Sequence, residues 1–150
     1  MTAGPELRFE RRIAARPADV YAFLTESRRW ARWQGVAAEI DAVADGTFRV
    51  EIGNGAVSEG RFLEVVPNRR VVFTWGWRGS ATLPPGSSTV EIELEPDGDG
   101  TRLILTHRGL PAEERRIHDI GWTHYLPRLE VAATGGDPGP DSVPRPPGPD

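Results

Sequence analysis

The chain has 150 residues, 18 basic and 22 acidic side chains and a net charge of −4, and every basic residue is arginine. The arginine pairs are scattered among acids, which argues against a nucleic-acid stripe and reads as a solvated mixed-charge surface from a GC-rich, bacterial genome. Cysteine is absent, which excludes disulfides, thiolate nucleophiles and cysteine-ligated zinc and suggests a reducing, cytoplasmic setting.

Residues 7–13 alternate, with Leu7, Phe9, Arg11 and Ile13 on one face, the period of a half-buried strand. Arg11 is the odd residue on that apolar face. Pro17 opens a short helix whose inner side is Val20, Phe23 and Leu24. Ser27 then caps a second, on which Trp30 and Trp33 share a face. From residue 37 the pattern becomes an antiparallel meander. Strands are expected at 39–43, 47–52, 56–66, 70–77, 90–95 and 101–107, cut by turn residues such as Gly53-Asn54-Gly55 and Asp97-Gly98-Asp99-Gly100. The fourth of these sets Val71, Phe73, Trp75 and Trp77 on a single aromatic ridge. The loop 79–88, with Pro84-Pro85-Gly86, is the least regular stretch.

Residues 111–133 read as the longest helix. Pro111 suits the first turn, Glu113 and Glu114 complement the dipole, and Gly135-Gly136 with Pro138 stops the far end. Trp122, Tyr125, Leu126, Leu129 and Ala133 fall on one stripe. Gly121, beside it, costs roughly 1 kcal/mol relative to alanine and so marks a close approach or a space for a ligand. Pro127 removes one backbone hydrogen bond and is expected to bend the helix. Residues 134–150 are rich in Pro and Gly and are expected to form a disordered tail after one domain spanning 1–133. The fold class is therefore α+β: a curved antiparallel sheet of about six to seven strands covered by one long helix, with two short helices after the first strand.

Four stretches carry a resemblance: FERRIAARPADVYAFLTE, GRFLEVVPNRRVVFTW, STVEIELEPDGDGTRLILTHRGLP and GWTHYLPRL. In this order, over residues 7 to about 130, the chain resembles the START-like, helix-grip (SRPBCC) superfamily. Within it, the chain is similar to the group related to the C-terminal domain of activators of the heat-shock-protein-90 ATPase. Pro127 departs from the usual pattern of the last helix. The resemblance implies a cavity between sheet and helix that binds a small hydrophobic molecule, a lipid or an aromatic metabolite. It equally admits a cyclase or aromatase type of enzyme, or a chaperone-binding interaction module.

The pocket residues that follow are Trp33, Trp75, Trp77, His107, Gly121, Trp122, Arg11, Glu59 and Arg61. His107 shares a face with Leu103 and Leu105, so it either points beneath the helix as an acid-base group or is tied to neighbouring backbone. Glu59 and Arg61 share a face with Val57, Leu63 and Val65. One register turns these charges into the cavity; the other turns Phe62 inward and the charges outward, and a bulge near Gly60 would switch between them. His118 and His124 lie on different helix faces, and Glu114 with His118 makes only two ligands, so no metal is expected. There is no Gly-rich phosphate loop and no nucleophile elbow, so no cofactor is expected either. No apolar run is long enough to span a bilayer, so membrane insertion is not expected. Monomer and homodimer are both open.

Overall fold

The computed structural model describes residues 6–141. Strand β1 (Leu7–Ile13) is followed by helices α1 (Pro17–Thr25) and α2 (Ser27–Trp30). Strands β2 (Ala37–Ile40), β3 (Thr47–Glu51), β4 (Val57–Val66), β5 (Arg70–Trp75), β6 (Ser88–Asp97) and β7 (Gly100–Arg108) come next, then helix α3 (Ala112–Ala133). They form one antiparallel sheet in the order β1-β7-β6-β5-β4-β3-β2, so α1 and α2 carry the chain from one sheet edge to the other. Each hairpin link is short enough to join sequential antiparallel neighbours.

One face of this sheet is covered. Phe48 and Val50 of β3, Phe62 of β4, Val71, Phe73 and Trp75 of β5, Val90, Ile92 and Leu94 of β6, and Leu103 and Leu105 of β7 are all buried. They meet Trp122, Leu126 and Leu129 of α3 and Trp30 and Trp33 of the α2 segment. The opposite face carries Arg70 bonded to Glu64, Glu91 and Glu93, Arg108 to Glu91, and Arg102 to Glu10 and Glu95. Alternation along each strand thus sorts aromatics to the grip and charges to solvent.

The strand ends differ from the sequence reading where the chain turns early. Asp45 takes a left-handed φ of 64° and the Val43 amide bonds back to Asp41, so β2 stops at Ile40. Beyond Trp75 the Trp77 amide bonds to the Leu83 carbonyl, closing the Pro-rich loop onto the sheet. The ladder of β4 with β5 shifts register between Phe62 and Glu64, after Gly60. Gly60 itself is a point of close approach, because a Cβ there would collide with the Thr74 carbonyl. Gly60→Ala is therefore expected to cost on the order of 2 kcal/mol or more. An unchanged urea midpoint would contradict that contact.

Helix α3 runs unbroken through Pro127. It ends in a double cap, with the Gly136 amide on the Val131 carbonyl and the Gly135 amide on that of Ala132, Gly135 taking φ 94°. This is the glycine-terminated geometry that satisfies the last carbonyls. At the start of the expected tail, Arg128 donates to the carbonyls of Pro138 and Gly139. The remaining tail residues, 142–150, lie outside the described part. Among the described residues no helix is long and apolar enough to cross a membrane, which says nothing of strands.

Candidate functional site

Three strands and α3 converge on two buried histidines. His107 ends β7 on the inner face; its partner across the ladder is Val90, which puts Ser88 diagonally beside it. His118 comes down from α3, one turn before Trp122. His107 is fully buried and His118 is 4% exposed, and their rings meet edge to face with centroids 5.1 Å apart. Trp75, Trp77 and Trp122 surround them.

Every ring nitrogen of the pair is spoken for. The Trp122 indole donates to His107 Nδ1 at 3.0 Å, so the proton of His107 sits on Nε2, which faces Ser88 Oγ at 2.9 Å. Ser88 in turn donates its own hydrogen to the Trp75 carbonyl at 2.9 Å. On the other ring, the Trp75 indole donates to His118 Nε2 at 3.1 Å, and His118 Nδ1 donates to the Glu114 carbonyl at 2.8 Å. Indole N–H groups only donate, so both imidazoles are held neutral in opposite tautomers.

Burial drives the His107 pKa well below its ordinary value, with repulsion from His118 adding to it. Burial also lowers His118, against the Glu114 carbonyl bond that favours its charged form. The Glu114 carboxyl is itself raised, by burial and then by Glu113. This network satisfies buried polar groups completely and leaves His107 no free lone pair with which to take a proton from a substrate.

The space around this network is unevenly filled. The centre of the grip is packed solid by Trp30, Trp33, Phe48, Phe62 and Phe73, each with no exposed surface. Phe48 and Phe73 stack at 4.2 Å, and Trp30 meets both edge-on. Room remains beside Gly121, where no described atom lies within 4 Å of a Cβ placed on it. Helical spacing sets Glu114, His118, Gly121 and Tyr125 on one stripe. Trp77 lies against His118 at 6.0 Å and pairs through its backbone with Ser58 of β4. Ser58 Oγ and the Tyr125 hydroxyl are buried without a hydrogen-bond partner among the described residues. Burial, with the nearby Asp141 carboxylate adding to it, pushes the Tyr125 phenol well up.

Of the residues expected in a pocket, Trp75, Trp77, His107 and Trp122 come together, with Gly121 on the adjoining stripe. Trp33 lies in the packed centre, its indole on the Phe23 carbonyl at 3.0 Å. Glu59 and Arg61 do not join them. Ser58 and Phe62 of the same strand are buried, so alternation turns both charges to the outer face, where Glu59 pairs with Arg78 at 2.7 Å. They border a shallow depression of about 380 Å³ there, with Thr74 and Pro85. Arg11 is on the helix side but at the rim, bonded to Glu130 at 2.6 Å and a third exposed. His118 and Ser88 were missed as members of the network. Their signal was present only as a histidine one turn before Trp122 and a serine at the foot of an alternating strand.

The family described as activator of Hsp90 ATPase homolog 1-like protein matches residues 14–134. The chain belongs to this family. An AHSA1-like protein from Rhizobium etli has a solution structure 40% identical to it, with a TM-score of 0.71, covering 100% of this chain and 96% of that one. A crystal structure of a Mesorhizobium loti protein is 23% identical, with a TM-score of 0.78 over 89% of this chain and 99% of that one. Its likeness is one of fold. The human activator of 90 kDa heat shock protein ATPase homolog 1 is 26% identical over 110 residues, 73% of this chain and 31% of that protein. The chain thus spans about a third of the curated relatives it matches. The helix-grip architecture of the AHSA1-like neighbours is the architecture of this chain.

Proposed function

We propose that this AHSA1-like domain binds a small, largely apolar molecule in the space beside Gly121, between α3 and the β3–β5 side of the sheet. The observation that carries this reading is the bare helical Gly121, with nothing packed within 4 Å of its Cβ position on the stripe of α3 that also carries His118 and Tyr125, together with the Ser58 hydroxyl, buried without a partner among the described residues under Trp77. A helix that keeps a glycine at a cost of about 1 kcal/mol gains nothing from it unless the space is used. Buried hydroxyls without partners each cost about 1–3 kcal/mol, which a ligand carrying a donor or acceptor would recover. Trp77 and His118 supply apolar and aromatic walls, the composition usual for small-molecule sites. The filled centre of the grip limits the guest to a size well below that of a long lipid held end to end.

Native mass spectrometry of the protein purified gently from cell extract is the first test, with an adduct that vanishes on denaturation as the expected result. Gly121→Leu should then lower affinity for that adduct by about ten-fold or more, since a leucine side chain occupies the volume of several methylenes of ligand. Its thermal midpoint should not fall, because the Cβ meets nothing within 4 Å and leucine favours a helix over glycine. Equal adduct occupancy in wild type and Gly121→Leu would remove the assignment.

A second reading rests on the family itself and on the named activity of the human relative. In it the domain contacts a heat-shock ATPase through its surface and the aromatic interior serves only stability. Stimulation of a purified Hsp90-type ATPase by the wild-type chain, undiminished in Gly121→Leu, would favour that reading. A cytoplasmic setting, consistent with the cysteine-free composition, is part of both proposals.

A further inference from the structure

One carboxylate is already bound beside the Gly121 space, and the chain supplies it. Asp141 is 2% exposed at its side chain. Its Oδ2 accepts the Gly35 amide at 3.0 Å, and its Oδ1 lies 2.9 Å from His124 Nε2 and 3.9 Å from Arg128 Nε. Burying a carboxylate is costly unless donors meet it, and charge-assisted donors meet it best. The groups around Asp141 are built in. Gly35 has φ 77°, and a Cβ there would run into the Glu51 carbonyl and Val50, so only glycine aims this amide inward. Arg128 spends its Nε hydrogen on the Trp33 carbonyl at 3.0 Å, so it offers the carboxylate a fixed positive charge and no hydrogen bond.

The occupant, by contrast, is held by little else. Residues 135–140 are glycine, proline and one aspartate, with almost no apolar side chain to bury, and Arg128 holds their carbonyls rather than any packed surface. The groups around Asp141 also adjoin the open space. Helical spacing puts Gly121, His124, Tyr125 and Arg128 along one ridge of α3, with Tyr125 packed on His124 at a ring separation of 4.8 Å. A molecule lying along that ridge would have its apolar part at Gly121 and its end at Gly35.

We propose that Gly35, His124 and Arg128 form a receptor for the carboxylate headgroup of a small amphiphilic acid, and that Asp141 is an internal stand-in which such a ligand displaces. The proposal rests on the small-molecule reading of the grip and names the class of molecule. A tethered carboxylate competes at an effective concentration in the millimolar range, so an external acid prevails by adding apolar burial that Asp141 lacks.

The test is amide NMR of full-length wild type and Asp141→Ala, titrated with acetate, decanoate and decanol at constant ionic strength. In Asp141→Ala the Gly35 amide resonance should move with acetate and saturate at far lower decanoate concentration. Wild type should need about ten-fold or more decanoate for the same occupancy, given the tethered competitor. Dispersed tryptophan indole signals certify that the variant is folded. A Gly35 resonance indifferent to both acids overturns the receptor; if decanol still moves Gly121 and Trp77, the small-molecule reading stands without it. A Gly35 response to acetate with decanoate no tighter, and no ligand moving Gly121, overturns the amphiphile class and the small-molecule reading together.

Discussion

Acidification from about pH 7.5 to about pH 5 is expected to lower stability, by up to about 2 kcal/mol for each histidine that remains neutral in the fold while its unfolded form takes up a proton. His107 and His118 both have pKa values lowered by burial. A lowered folded pKa means that the unfolded chain binds more protons, so the stabilising contribution is whole above the unfolded value near 6.5 and is lost as the pH falls below it. For each histidine the slope approaches about 1.4 kcal/mol per pH unit once the unfolded chain is protonated. Protonating either ring also destroys an acceptor, at His107 Nδ1 for Trp122 or at His118 Nε2 for Trp75.

Glu114 works the other way. Its raised pKa gives stability that is present at low pH and lost as pH rises through its folded value, so it softens the acid limb near the carboxylate range. Urea midpoints at several pH values between about 5 and 7.5 read the effect, and His107→Gln with His118→Gln should flatten it. A midpoint that stays constant over this window in the wild type would show that the pair is not held neutral.

Truncation of Trp30 is expected to be the most damaging single change in the interior. Its ring has no exposed surface and touches Trp33, Phe48 and Phe73 with centroids 4.6, 5.2 and 5.8 Å away. Aromatic-to-alanine changes at such sites cost about 3–5 kcal/mol through lost transfer energy and the cavity left behind. The Trp30 indole also donates to Gln34 Oε1 at 3.0 Å, and Gln34 is 2% exposed. Its amide oxygen would be stranded, adding about 1–3 kcal/mol. Against a typical total of about 5–15 kcal/mol, Trp30→Ala should leave a chain that is partly unfolded at room temperature. A loss below about 1 kcal/mol by urea titration would mean that the aromatic centre is not the main support of the fold. Trp30→Phe keeps the volume approximately and should recover most of the packing, but not the Gln34 bond.

Much of the architecture was legible because it rests on local periods. The alternation of Val90, Ile92 and Leu94 with Glu91, Glu93 and Glu95 sets the wet and dry faces of β6, and Leu103, Leu105 and His107 do the same for β7. The glycine pair after Ala133 ends α3 as expected, and there a double cap forms. Site membership was legible only in part. His107 was visible as a polar residue on an apolar face, but its partners come from three other elements, and no spacing along the chain reports distances between strands and helix.

Sequence by itself determined the helix-grip order of elements, the aromatic ridge of β5, and the membership in a family whose motifs recur in order. These are properties of side-chain period and chain order, and they survive without knowing which neighbour each face meets. Tertiary structure alone decided that Glu59 and Arg61 face outward, because the parity of a strand is set by its ladder partners and by the bulge after Phe62. It alone decided that the two histidines pair, and that a Gly- and Pro-rich segment is held down by Arg128 and Asp141. For the strand the deciding energy is the burial of Phe62 in place of two charges, and for the histidines and the segment it is a buried polar group finding its partner across the fold; chain order carries no record of either.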